Sequence, residues 1–156
     1  MQISRKSDYA LRAMVYIAAW PNDKICSINE ISEAEKVPRE YLAKILKELS
    51  LQGLLHSYKG INGGYRLAKS RDEITFLDII ESMQGKIMVN DCIRHTDDSV
   101  CSKKPSCAMH PFWQQEQERV VKSLSSVSLS SFDYDKYYPY AQKGTDKKTA
   151  VGSINN

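Results

Sequence analysis

Apolar residues return every three or four positions in five stretches of this chain and alternate briefly in a sixth. Between Arg5 and Ala19 the set Tyr9, Leu11, Met14, Val15, Ile17 and Ala18 keeps helical spacing, and Pro21 and Asn22 close it, which predicts an amphipathic helix. Ser27-Ile28-Asn29-Glu30 is a capping box, so a short helix is expected from Ile28 to about Lys36. Pro38 opens the next helix, where its missing N–H costs nothing. Tyr41, Leu42, Ile45, Leu46 and Leu49 follow, and Gly53 ends the run. Leu54 to Lys59 and Tyr65 to Ala68 then predict two short strands around Gly60-Ile61-Asn62-Gly63-Gly64. Asn-Gly-Gly is expected to supply the positive φ values of a tight hairpin. Thr75 and Asp78 cap a helix from Phe76 to Met83, and Gly85 to Val89 reads as an extended connector. From Pro111 to Val127, the residues Phe112, Trp113, Val120, Val121, Leu124 and Val127 predict one long helix with a single apolar stripe.

Two helices joined by a tight turn, the second with a basic outer face, make a helix-turn-helix, and a hairpin directly after it is a wing. The expected fold class is therefore mainly α with a small β wing: a winged helix-turn-helix over residues 1–84, then a cysteine-rich loop over 85–110. A dimerisation helix with its following turn covers 111–134. Residues 135–156, polar and aperiodic after Tyr140, are expected to form a disordered tail. The long helix has no obvious partner later in the chain, so a second copy is its natural partner and a homodimer is expected.

The totals narrow the class. The chain has 156 residues, 42% hydrophobic and 26% charged, with net charge +3. That suits an ordinary globular protein, and its mildly basic balance matters only where it clusters. No apolar run reaches the roughly 18 residues of a membrane span, and Met1-Gln2-Ile3-Ser4-Arg5-Lys6 lacks the following apolar core of a secretory signal. A reducing cytoplasm is the expected location. No Ser/His/Asp set, carboxylate pair or phosphate-binding glycine loop stands out, so neither an enzyme nor a small-molecule substrate is expected.

Cys92, Cys101 and Cys107 crowd into one loop, with eight residues between the first pair and five between the second, and His110 three residues after the last. Thiolates and imidazole on a loop rich in Ser, Asp, Lys and Pro suit a soft metal centre, an iron–sulfur cluster or structural zinc. In a reducing compartment such a cluster of thiols reads as metal ligands or redox-active groups, not disulfides. His110 is the nearest candidate for a fourth ligand. Asp8 is the alternative, although a favourable charge in a helical first turn explains it as well. Cys26, between helices, reads as a small buried hydrophobe, and Tyr9, Tyr16, Trp20 and Tyr41 as core. Arg39, Lys44, Lys47, Lys59, Arg66, Lys69 and Arg71 cluster in the second helix and the wing, where positive charge would meet phosphates, and Arg39 and Glu40 stand where side chains reach base edges. Tyr41, Asn62, Gly63 and Gly64 complete the expected contact surface for double-stranded promoter DNA.

Together these residues resemble the IscR/NsrR family of winged-helix transcription regulators from Met1 to about Tyr134. The resemblance is carried by Ser7-Asp8-Tyr9-Ala10-Leu11-Arg12, the helix Glu40 to Leu49, the wing Lys59-Gly60-Ile61-Asn62-Gly63-Gly64-Tyr65-Arg66-Leu67, the three-cysteine loop, and Ser126 to Phe132. It implies a dimer with one iron–sulfur cluster per subunit, whose state controls promoter binding, with the wing tip entering the minor groove. Cys92, Cys101 and Cys107 match the family's ligands. His110 matches the fourth ligand of members holding a two-iron cluster and Asp8 that of members holding a four-iron cluster; the two-iron form is slightly favoured. The chain departs from the pattern in its long first cysteine gap and in Glu40 and Ala43. A zinc-stabilised constitutive DNA-binding protein, or a cysteine-based redox protein or cluster carrier, are the alternatives.

Overall fold

The structure, a computed structural model, describes residues 2–94, 101, 103 and 106–142, except the side chains of Arg94 and Gln142. Helix α1 (Arg5–Ala19) starts at Ser4, whose hydroxyl accepts from the Ser7 amide, and buries Ala10, Ala13, Met14, Ile17 and Ala18. Against it pack α2 (Ile28–Glu35), α3 (Arg39–Leu51) and α4 (Phe76–Gln84). The expected caps are present. Ser27 Oγ accepts from the Glu30 amide, and Thr75 and Asp78 form a complete capping box. Leu42, Ile45, Leu46 and Leu49 of α3 are fully buried, each worth roughly 1.5–3 kcal/mol over an exposed position. The turn between α2 and α3 passes through Lys36 in the left-handed region (φ 54°), which lets the chain double back within two residues before Pro38 restarts it.

Strands β1 (Leu55–Tyr58) and β2 (Gly64–Leu67) pair antiparallel, with Leu55 opposite Leu67 and Tyr58 opposite Gly64. The hairpin departs from expectation in where its glycines matter. The positive φ (103°) belongs to Gly60, and neither Gly63 nor Gly64 adopts one. Those two are required by space. A Cβ on Gly63 would meet the Tyr58 carbonyl oxygen at 2.3 Å, and one on Gly64 the Cys26 carbonyl oxygen at 2.2 Å. The second contact reflects a β-bridge between Cys26 and Tyr65, closed by two backbone bonds of 2.8 Å, which stitches the wing to the loop before α2.

A connector leads from α4 to the one-turn α5 (Asp91–Arg94) and the long α6 (Met109–Ser125). Helix α6 begins earlier than expected because Pro111 is tolerated in its first turn. It ends before Val127 because the Val127 carbonyl is taken by the Phe76 amide at 2.9 Å. No α6 side chain is buried. The segment after it returns to the winged helix. Ser128 bridges Thr75, the Leu129 amide donates to the Ile74 carbonyl, and Phe132 stacks on Phe76 at 5.3 Å.

Residues 135–142, expected in a disordered tail, instead form α7 (Tyr134–Tyr137) and α8 (Pro139–Gln142). Tyr134 and Ala141 are buried, and Tyr138 and Tyr140 pack against Tyr16 of α1 and Trp20 just after it. Aromatic rings spaced one to three apart bury enough area to order a segment whose polar residues mask the signal. Residues 143–156 lie outside the described residues.

Candidate nucleic-acid interface and cysteine loop

Helix α3 turns its apolar stripe inward, which leaves Arg39, Glu40, Tyr41, Lys44 and Lys47 exposed on its outer side. Tyr41 keeps one edge against Tyr9, 5.7 Å between ring centres. Of the four rings expected in the core, Tyr16 is buried, Tyr9 and Trp20 are partly buried, and Tyr41 is exposed. Helix α3 is tied to the helices behind it by Lys6, whose ammonium pairs with Glu48 at 2.6 Å and donates to the Met83 carbonyl. On the wing, Lys59 and Asn62 are exposed at the tip around a fully exposed Ile61. Arg66 is half-buried, its guanidinium 5.0 Å over the Tyr58 ring. The head of α2 and the wing, with Arg39 at the start of α3, share a cleft of about 400 Å³ lined by Asn29, Arg39, Tyr58, Gly60 and Gly63. Arg39 is the one basic residue lining this cleft, and Lys44, Lys47 and Lys59 are exposed outside it, so positive charge is spread over the surface around the groove, as contact with a phosphodiester backbone requires.

Two residues expected at this surface take other places. Gly64 is buried beneath the Cys26 carbonyl and sets the position of the wing without being reachable itself. Arg71 turns inward, donating through Nη2 to the Trp20 carbonyl at 3.0 Å and lying 5.0 Å over Tyr134. It holds α1 to the returning C-terminal segment. Cys26 is buried as expected, and burial, with the charge of Glu30 second, pushes its thiol up to about 12.

Cys92 lies in α5, Cys107 directly before α6, and His110 in the first turn of α6. Helix α5 packs on α6. The connector is fastened to α6 by Gln117, which accepts from the Val89 amide and donates to the Ile87 carbonyl. Cys92, Cys101 and Cys107 are free thiols of intermediate exposure. Three soft donors and an imidazole have the chemistry that an iron–sulfur cluster takes. Among the described residues, no three His, Cys, Asp or Glu side chains stand close enough together to hold an ion. His95 lies outside the described residues. Asp8 is in the first turn of α1 and pairs with Arg12 at 2.9 Å.

Sequence reasoning gave no role to Asn29, whose side chain accepts from Arg39 across the helix-turn-helix, to Gln84, which accepts from the Ser4 amide and the Ser7 hydroxyl, or to Gln117. An amide on a helix surface carries no periodic signal that marks it.

Comparison with known proteins places the geometry. The family described as Rrf2, iron-dependent transcriptional regulator, matches residues 3–132. The solved structure of CymR, the global cysteine regulator of B. subtilis, is 25% identical, covering 83% of this chain and 94% of that one, with a TM-score of 0.67. The oxidised form of Staphylococcus aureus CymR is 26% identical over 83% of this chain and 93% of that one, with a TM-score of 0.62. IscR of T. potens, 21% identical over 99% of this chain and 94% of that one, shares the fold with a TM-score of 0.64.

Proposed function

We propose, because the chain belongs to the Rrf2 family of transcriptional regulators, that it grips promoter DNA as a homodimer under the control of an iron–sulfur cluster held by its cysteine loop. It is a DNA-binding regulator and not an enzyme. Among its described residues no helix is long and apolar enough to cross a membrane. Cys92, Cys101 and Cys107 supply three thiolates and His110 the fourth donor, which favours a two-iron form; Asp8, reaching from a second copy, is the alternative ligand. When bound, such a cluster supplies a centre that gains or loses electrons or is lost outright.

The observation that carries this reading is that Cys107 and His110 stand at the start of α6, a 17-residue helix with no buried side chain and with Met109 and Phe112 exposed, and that α5, which carries Cys92, packs on it. A helix with an uncovered apolar stripe needs a partner. A loop tethered to its base sets how two copies meet, and so the spacing of two α3 helices on half-sites one helical turn apart. Arg39, Glu40, Tyr41, Lys44 and Lys47, with Lys59, Asn62, Gly63 and Arg66, form the DNA face.

The test is iron and acid-labile sulfide content of anaerobically isolated protein, with absorption and Mössbauer spectra of wild type, His110→Ala and Asp8→Ala. Stoichiometric iron and sulfide, with the spectrum lost in one variant, supports the reading and names the fourth ligand. Colourless protein with stoichiometric zinc replaces it with a constitutive module. A second reading, control by thiol oxidation, draws on the half-exposed free thiols. It requires metal-free protein whose DNA binding responds reversibly to oxidant.

A further inference from the structure

Arg39 opens α3, and its Nε donates to Asn29 Oδ1 at 2.8 Å. Asn29 is the second residue of α2, so the bond crosses the helix-turn-helix between two exposed side chains. It contributes nothing to the core. Its effect is on direction. With Nε engaged, the four N–H groups of Nη1 and Nη2 remain, and they have no partner among the described residues. The partner is a neutral amide oxygen, so the guanidinium keeps its whole charge, which a carboxylate in the same place would cancel.

Arg39 lines the cleft of about 400 Å³ between the head of α2 and the wing, whereas Glu40, Lys44 and Lys47 do not border it. The far wall belongs to the wing, where Gly60 and Gly63 leave backbone uncovered among Tyr58, Ile61 and Tyr65. No carboxylate lines the cleft: Glu30 is turned back onto Ser27 and Lys24. The amides of Ile28 and Asn29 open α2 and have no intrahelical acceptor.

We infer that Asn29 is a positioning residue that aims Arg39 into this cleft as a clamp on a DNA backbone phosphate, and that Arg39 therefore does not read a base edge. The inference rests on the DNA-binding reading and assigns two residues within it. A phosphate clamp acts on every sequence alike and adds to the salt dependence of binding. A base reader discriminates between sequences.

The experiment uses full-length protein and two duplexes, one selected by the wild type from a random-sequence pool and one with that sequence shuffled. Affinity is measured by fluorescence anisotropy between about 50 and 200 mM salt. Arg39→Ala is expected to weaken both duplexes by a similar factor and to lower the slope of log affinity against log salt by about one. Asn29→Ala is expected to weaken both about three- to tenfold, and to change nothing further when Arg39 is already alanine. Asn29→Asp keeps the acceptor but adds a charge, and should bind no better than Asn29→Ala. Unfolding midpoints should be unchanged throughout, which separates aiming from folding. Equal losses from Asn29→Ala with and without Arg39, or an Arg39→Ala defect confined to the selected duplex, would overturn the inference alone. Wild-type protein that binds neither duplex would overturn the DNA-binding reading and this assignment with it.

Discussion

A methyl group on Gly64 would sit 2.2 Å from the Cys26 carbonyl oxygen, closer than any Cβ is found. Either the wing or the loop before α2 would have to move, breaking the two 2.8 Å bonds of the Cys26–Tyr65 bridge. Gly64→Ala is therefore expected to lose about 1–3 kcal/mol in urea unfolding and to weaken DNA binding through a displaced wing. Unchanged stability would show that the bridge yields freely. Cys26, under the same bridge, gives a second expectation. Its thiol is buried and pushed up to about 12, whereas Cys92, Cys101 and Cys107 are partly exposed. Thiolate is the reactive form, so iodoacetamide on native metal-free protein at pH 8 should label the three loop residues well before Cys26. Mass spectrometry of the digested protein reads the order, and early labelling of Cys26 would contradict the packing.

At the scale of elements, the C-terminal helices bind the far end of the helix-turn-helix through Tyr138, whose hydroxyl donates to Glu35 at 2.8 Å. Burial holds the Glu35 carboxyl above its usual range, and the Tyr138 hydroxyl and the Arg12 charge only partly oppose this. The folded state thus holds that proton more tightly than the unfolded chain. Stability from this group is present at acid pH and declines as pH rises through the raised value. Glu35→Gln keeps an acceptor for Tyr138 and removes the titration. Its melting temperature relative to wild type should rise from pH 4 to pH 7, and a falling difference would contradict the assignment. Tyr138 also marks a limit of sequence reading. Helices α1 to α4 were legible because a cap, a proline or a 3.6-residue stripe marks each, and the wing because strands and turn glycines alternate. The order of α7 and α8 was not, since four-residue helices have no period and their burial depends on Tyr16 and Trp20, far away in the chain. The three loop cysteines were legible by residue type alone. The Asn29–Arg39 bond joins side chains ten positions apart on different helices, which no pattern within either helix reveals.

For the whole molecule, the proposed homodimer rests on the uncovered stripe of α6. Trp113, Val120, Val121 and Leu124 are half-exposed in the single chain, and a second copy would bury them. Sedimentation is expected to show a species of twice 17.8 kDa, and Leu124→Glu to yield monomer that keeps its fold but loses most of its affinity for a two-half-site duplex. A wild-type monomer that binds such a duplex tightly would leave the stripe without a role. In the proposed function, Cys92, Cys101 and Cys107 make that assembly responsive to a cluster. The most direct measurement is the affinity of one selected duplex for protein isolated anaerobically, beside the same preparation stripped of iron and sulfide and kept reduced. The proposed coupling predicts a clear difference in affinity between the two, abolished by Cys92→Ala. Equal affinities would contradict it.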